Sequence, residues 1–199
     1  MTIKVCGITR VEDALCAAQL GVHALGFVFW PRSPRAISAE RAAAIVEALP
    51  PFVVPVGVFV DPSAELVAEC RDAGMVVAQI VGAVPLMPRG MRLLRAVTLS
   101  ADGTDITPDV EGNGAVLVDA HDPVRRGGTG ITIDWQAVAP ISARRPVILA
   151  GGLKPENVGE AIALARPAGV DVSSGVETAP GIKDPDRMAA FVAAVRQVA

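Results

Sequence analysis

Ile3-Lys4-Val5-Cys6-Gly7-Ile8-Thr9 is a short β-branched run that closes on a single glycine, and the way it closes decides the fold. An open doubly wound sheet built for a dinucleotide carries G-x-G-x-x-G at its first strand-to-helix turn. Here that turn reads CGIT, and the glycine-rich turns come late, in AGGLKPENV at 150–158 and SSGVE at 173–177. Working outward, similar apolar runs begin at Ala24, Val53, Val76, Arg92, Ala115, Pro146 and Gly169, each bounded by Gly, Pro or Asp, which makes eight candidate strands. Helical periodicity fills residues 11–20, 38–49, 62–73, 155–165 and 184–198. Ser38 ahead of Glu40, Asp61 ahead of Pro62 and Lys154 ahead of Pro155 mark helix starts. Strands alternating with helices imply parallel pairing through right-handed crossovers, and eight such units close into a barrel. The expected fold is therefore α/β, one (β/α)8-barrel domain over residues 1–199.

Two units are thin. Residues 83–91 contain Pro85 and Pro88, and 101–114 have poor helical composition, so shortened crossover helices are expected after strands four and five. That economy brings the chain below the ~250 residues usual for this architecture.

Hydrophobic residues make up 51% of the chain against 20% charged, with 4% aromatic and no Tyr, so burial must rest on small aliphatics, as parallel strands covered on both faces require. A net charge of -3 with no basic run argues against a nucleic-acid partner. Cys6, Cys16 and Cys70 are odd in number and lack C-x-x-C spacing, which suggests neither a disulfide framework nor a zinc site; no metal is expected. MTIKVCGITR lacks the basic-then-apolar pattern of a signal peptide, and no apolar stretch reaches membrane length. The expectation is a soluble cytoplasmic protein with a small-molecule ligand and no membrane partner, as a monomer or homodimer.

In such a barrel the chemistry sits where strands end. Alternation puts Lys4 and Cys6 on one face and Leu117 with Asp119 on another, and Cys6, Asp119 and Asp171 are expected to point inward. AVLVD and GVDVSSGVE each set a carboxylate inside an apolar run, where desolvation is costly unless compensated. Asp119 at a strand end is read as chemical; Asp171 has the competing structural reading of an ion pair with Lys4. The Gly151-Gly152 turn and Ser174-Gly175 occupy adjacent late loops, where this fold commonly builds a phosphate site from backbone N–H groups. A phosphorylated small molecule is the expected partner. Arg35, in the Pro-rigidified loop FVFWPRSPRAIS, offers a planar fork of donors for a ligand carboxylate, with Arg32 the weaker candidate. Cys16 and Cys70 lie in helical segments and are read as core.

These stretches, KVCGIT with a following EDA, GFVFWPRSPRAIS, PVGVFVD, the strand-end Asp119 with GGTG and DW, AGGLKPENV and VDVSSGVETAPGIKD, together resemble the phosphoribosylanthranilate isomerases of tryptophan biosynthesis, in order along nearly the whole chain. The resemblance implies an Amadori rearrangement of N-(5-phosphoribosyl)anthranilate to 1-(2-carboxyphenylamino)-1-deoxyribulose 5-phosphate, without metal or cofactor. It implies Cys6 as general base and Asp119 as general acid, Arg35 holding the anthranilate carboxylate, Asp171 and Gln79 lining the substrate pocket, and Gly151, Gly152, Ser174 and Gly175 gripping phosphate. At pH 7 a thiol of pKa ~8.5 is a few per cent ionised and a carboxyl of ~3.9 is about 0.1% protonated, so both groups need tuning. A cation or backbone amides are expected to lower the thiol, and apolar surroundings to raise the carboxyl.

One departure stands out. Where the family usually reads Gln-Leu-His-Gly, this chain reads Gln79-Ile80-Val81-Gly82, which implies an altered grip on sugar and anthranilate. His121, two residues past Asp119, is read as a loop histidine. A related isomerase of histidine biosynthesis would require Asp where Cys6 stands and a second glycine-rich phosphate turn after strand three, where GVFVDP has none. A non-catalytic barrel that binds a phosphorylated ligand is the rival from another class, and only the altered fourth loop speaks for it.

Overall fold

The computed structural model describes residues 1–98, 114–119 and 135–198. Eight parallel strands close into a barrel in sequence order: β1 (Thr2–Cys6), β2 (Ala24–Val28), β3 (Val54–Val60), β4 (Val77–Val81), β5 (Arg92–Thr98), β6 (Val116–Asp119), β7 (Val147–Ala150) and β8 (Gly169–Val172). Pairing of β8 with β1 shuts the ring and sets Lys4 level with Asp171. Each strand begins within one residue of the position read from the sequence. The barrel expectation holds.

Around it lie α1 (Val11–Gln19), α2 (Ala39–Glu47), α3 (Ala64–Asp72), the single turn α4 (Ala139–Ser142), α5 (Val158–Ala165) and α6 (Pro185–Val198). Ser38 caps α2 by accepting from the Arg41 N–H, and Ser63 caps α3 by accepting from the Leu66 N–H. The α3 cap is thus not Asp61. Asp61 adopts a left-handed φ of 44° and its carboxylate accepts from the Ala83 N–H at 2.7 Å, tying the ends of β3 and β4 together. Residues 82–91 contain no helix, so the crossover expected to be short after β4 is only turn. The crossover after β5 lies outside the described residues. The helix expected from Pro155 starts at Val158, because Asn157 folds the preceding residues into a turn: its side chain accepts from the Lys154 N–H and donates to the Gly152 carbonyl.

Apolar side chains occupy two layers. The larger lies between strands and helices and includes Leu25, Phe27, Phe59, Ile80, Val118, Leu149 and Val170 from the sheet, with Ala14, Ile45, Val67, Ile162 and Phe191 from the helices. Each large side chain removed from water there is worth about 1.5–3 kcal/mol. Cys70 belongs to this layer, and burial pushes its thiol up to about 12, as an inert core cysteine requires. The smaller layer, Ala96, Leu117 and Ala150 with Leu94 and Ile148 against it, lies inside the barrel. Above it, where the inward side chains become polar, the barrel opens into a cavity.

Candidate active site

The cavity measures about 420 Å³ and is lined by residues from the C-terminal ends of several strands and the loops that follow. Cys6, Asp119 and Asp171 all line it, so the inward orientation read from strand alternation holds for each. Arg35, Gln79, Gly151, Gly152 and Ser174 line the same cavity; Gly175 does not, and Arg32 is exposed away from it. His121 lies outside the described residues.

Lys4 and Asp171, on paired strands, form an ion pair of 2.7 Å with both side chains almost fully buried. Gly26 on β2 makes room for it: a Cβ there would stand 2.7 Å from Cys6 Sγ and 3.1 Å from Lys4 Nζ. The thiol and the ammonium therefore share one pocket against a bare strand. Burial pulls the Lys4 ammonium down, but Asp171 and Cys6 outweigh that and hold it above its ordinary value. For Cys6 the balance differs from the lowering expected. Burial dominates and pushes the thiol above 9.0, with Lys4 and Lys183 pulling it down and Asp171 adding to the rise. Only one oxygen of Asp171 is used by Lys4; Asp171 Oδ1 and Gln79 Oε1 are buried without a hydrogen-bond partner among the described residues. Two unmatched acceptors in a polar cavity are costly unless a ligand donates to them.

Arg35 is not free to swing. Its Nε and Nη2 grip the Glu177 carboxylate at 2.9 and 2.6 Å, and Lys183 Nζ reaches the same carboxylate at 2.6 Å. Glu177 and Lys183 come from a short hairpin, β9 (Glu177–Ala179) and β10 (Ile182–Lys183), which follows β8. The Lys183 ammonium, wholly enclosed, also donates to the carbonyls of Cys6 at 2.6 Å and Ser173 at 3.3 Å. Sequence reading singled out neither residue for a role, although both fall within VDVSSGVETAPGIKD. Burial alone would raise the Glu177 carboxyl, but the hydrogen bonds from Arg35 and Lys183 hold it below its ordinary 4.5. A depressed carboxylate stabilises the fold above pH 4.5, and that contribution drains as pH falls through the lowered value. The urea-unfolding free energy of the wild type should therefore exceed that of Glu177→Gln by a constant margin near pH 6 and converge on it in acid; a margin that widens on acidification would contradict the assignment.

The late glycine turns meet as expected. Gly151 and Gly152 take left-handed φ values of 90° and 64°, which turns the chain sharply off β7 at the cavity rim. A Cβ on Gly175 would lie 2.0 Å from the Leu153 carbonyl oxygen, so only glycine lets the loop after β8 approach the loop after β7 this closely. The 3₁₀ turn Ser174–Val176 follows at once.

Among the described residues no cluster of His, Cys, Asp and Glu could hold a metal ion, and no helix is long and apolar enough to cross a membrane. A buried thiol beside an ammonium, a carboxyl group at another strand end, an anchored guanidinium and a backbone turn at the rim suit proton transfer on a small anionic ligand. The family model for N-(5'-phosphoribosyl)anthranilate isomerase matches residues 3–194. The N-(5'-phosphoribosyl)anthranilate isomerase of Acidithiobacillus ferrooxidans is 47% identical, covering 98% of this chain and 97% of its own. The crystal structure of phosphoribosyl anthranilate isomerase from Thermotoga maritima aligns with a TM-score of 0.83 at 34% identity, covering 99% of both chains. Another such isomerase, solved in complex with reduced 1-(o-carboxyphenylamino)-1-deoxyribulose 5-phosphate, aligns with a TM-score of 0.80, at 34% identity and with 99% of both chains covered.

Proposed function

This chain belongs to the N-(5'-phosphoribosyl)anthranilate isomerase family, and from that premise we propose that it isomerises N-(5'-phosphoribosyl)anthranilate in tryptophan biosynthesis, with Asp119 as general acid and Cys6 as general base. The observation that carries the reading is that both side chains line one cavity whose rim is a Gly-Gly turn. The Asp119 carboxyl protonates the furanose ring oxygen as its bond to C1 breaks, and the nitrogen lone pair closes to an iminium. The Cys6 thiolate then removes the C2 proton, and that C–H pair forms the enolamine. In the tautomerisation the C2 hydroxyl gives its proton to the Asp119 carboxylate, the O–H pair becomes the ketone, and C1 takes a proton from the Cys6 thiol, which restores both groups. No group outside the chain is needed to balance these steps.

Lys4 supplies the cation beside Cys6, opposing the burial that keeps the thiol protonated. Backbone N–H groups around Gly151, Gly152, Ser174 and Gly175 hold the phosphate. The unmatched oxygens of Asp171 and Gln79 accept from the ligand's N–H and hydroxyl groups. Val81 lines the cavity where the family usually carries a histidine, so at this position the chain offers the ligand an aliphatic contact and no hydrogen bond. A biosynthetic role of this kind places the protein in the cytoplasm. Purified protein assayed on freshly prepared substrate, by the change in anthranilate fluorescence, tests the whole reading; no turnover would overturn it.

Arg35 lines the cavity with its Nη1 nitrogen unused among the described residues, and it takes the anthranilate carboxylate. Arg35→Ala is expected to weaken the carboxylated ligand by about 10- to 100-fold, the scale of a charge-assisted hydrogen bond. The readout is titration with the reduced product analogue and with its phenylamino counterpart. Equal losses for the two compounds would contradict the role.

A further inference from the structure

We infer that Glu177 and Lys183 are positioning residues of this site: Glu177 aims the Arg35 guanidinium at the ligand carboxylate, and Lys183 fastens that aim to the backbone of Cys6. The inference rests on the reading of Arg35 and Cys6 given above. Glu177 takes the Nε–Nη2 edge of the guanidinium, which fixes the plane of the group and leaves the remaining edge for a second carboxylate. The Glu177 side chain is 4% exposed and that of Arg35 22%, so the arginine is held from behind and open in front. Gly181 adds a backbone N–H to Glu177 at 3.2 Å, and the hairpin that carries the carboxylate is thereby pinned.

Charge explains why two cations meet one anion. A lone Glu–Arg pair would be neutral and would have little attraction for a ligand carboxylate, whereas Arg35, Lys183 and Glu177 together keep one net positive charge beside the cavity. Lys183 itself cannot touch the ligand, being 0% exposed. Its three donors are fully used by Glu177, the Cys6 carbonyl and the Ser173 carbonyl, which ties the ends of β1 and β8 to the carboxylate behind Arg35. The Lys183 backbone N–H donates to Asp13, itself held by Arg10, so the hairpin is also locked to the start of α1. One buried unit thus sets the distance between the place where the aromatic ring is caught and the place where the sugar proton is removed.

The two residues make separable predictions. Glu177→Gln should raise KM about tenfold with kcat nearly unchanged, and should weaken reduced 1-(o-carboxyphenylamino)-1-deoxyribulose 5-phosphate while leaving its phenylamino counterpart unaffected. In a chain already carrying Arg35→Ala, the same change should alter affinity less than about twofold, because its effect runs through the arginine. Lys183→Met should lower kcat as well as raise KM; should that variant not fold, Lys183→Gln is read in the same way. Equal weakening of both ligands by Glu177→Gln, additivity with Arg35→Ala, or an unchanged kcat on replacing Lys183 would overturn the inference. If instead Arg35→Ala does not distinguish the two ligands, it is the carboxylate role of Arg35 that fails.

Discussion

Cys6→Ala is expected to lower kcat by about 10²- to 10⁴-fold, the range that a positioned general base contributes, while affinity for the reduced product analogue changes little. The residue is 9% exposed, and alanine leaves β1 and its pairing intact. Loss of rate without loss of binding therefore isolates the proton-transfer role from packing. The wild type has a second signature. Because burial dominates over Lys4 and raises the thiol above 9.0, the fraction of thiolate in the free enzyme grows with pH. The ascending limb of kcat/KM should then lie on the alkaline side of 9.0 and should vanish in Cys6→Ala. A variant that turns over at near-normal rate, or a limb that survives it, would remove Cys6 from the reaction.

That position was legible because a barrel of parallel strands announces itself in continuous aliphatic runs, and the residue closing each run must face the mouth or the helices by alternation alone. This rule turns Cys6, Asp119 and Asp171 inward, and all three line the cavity, as does Gln79, which only the family resemblance singled out. The rule fails where contacts depend on tertiary geometry. Arg35 and Glu177 are separated by 142 positions, and no local pattern says that a loop arginine will meet a hairpin carboxylate. The hairpin itself escaped notice because its strands are three and two residues long, too short for alternation to register. Likewise Pro155 imitates a helix start, whereas the Asn157 side chain satisfies the Lys154 N–H and delays the helix to Val158. The Lys4–Asp171 pair was anticipated as a structural alternative; its geometry adds that Lys4 stands beside Cys6 too, since both lie against the open face of Gly26.

Asp119→Asn is expected to cost kcat a further factor in the same range of about 10²- to 10⁴-fold, for a different reason. The residue ends β6, level with Ala150 on β7, and an amide there keeps the shape but has no acidic proton to surrender. In the proposed mechanism ring opening is the step that needs it, since the departing sugar oxygen would otherwise leave as an alkoxide. The variant should therefore bind substrate and stall before any C2 proton is lost. Substrate deuterated at C2 separates the two roles. Wild-type or Cys6-variant turnover limited by C–H cleavage shows a primary isotope effect, while the Asp119→Asn enzyme, limited by ring opening, should show almost none. A full isotope effect in Asp119→Asn would mean that the ring opens without this carboxyl, and the acid would have to be sought elsewhere along the cavity wall.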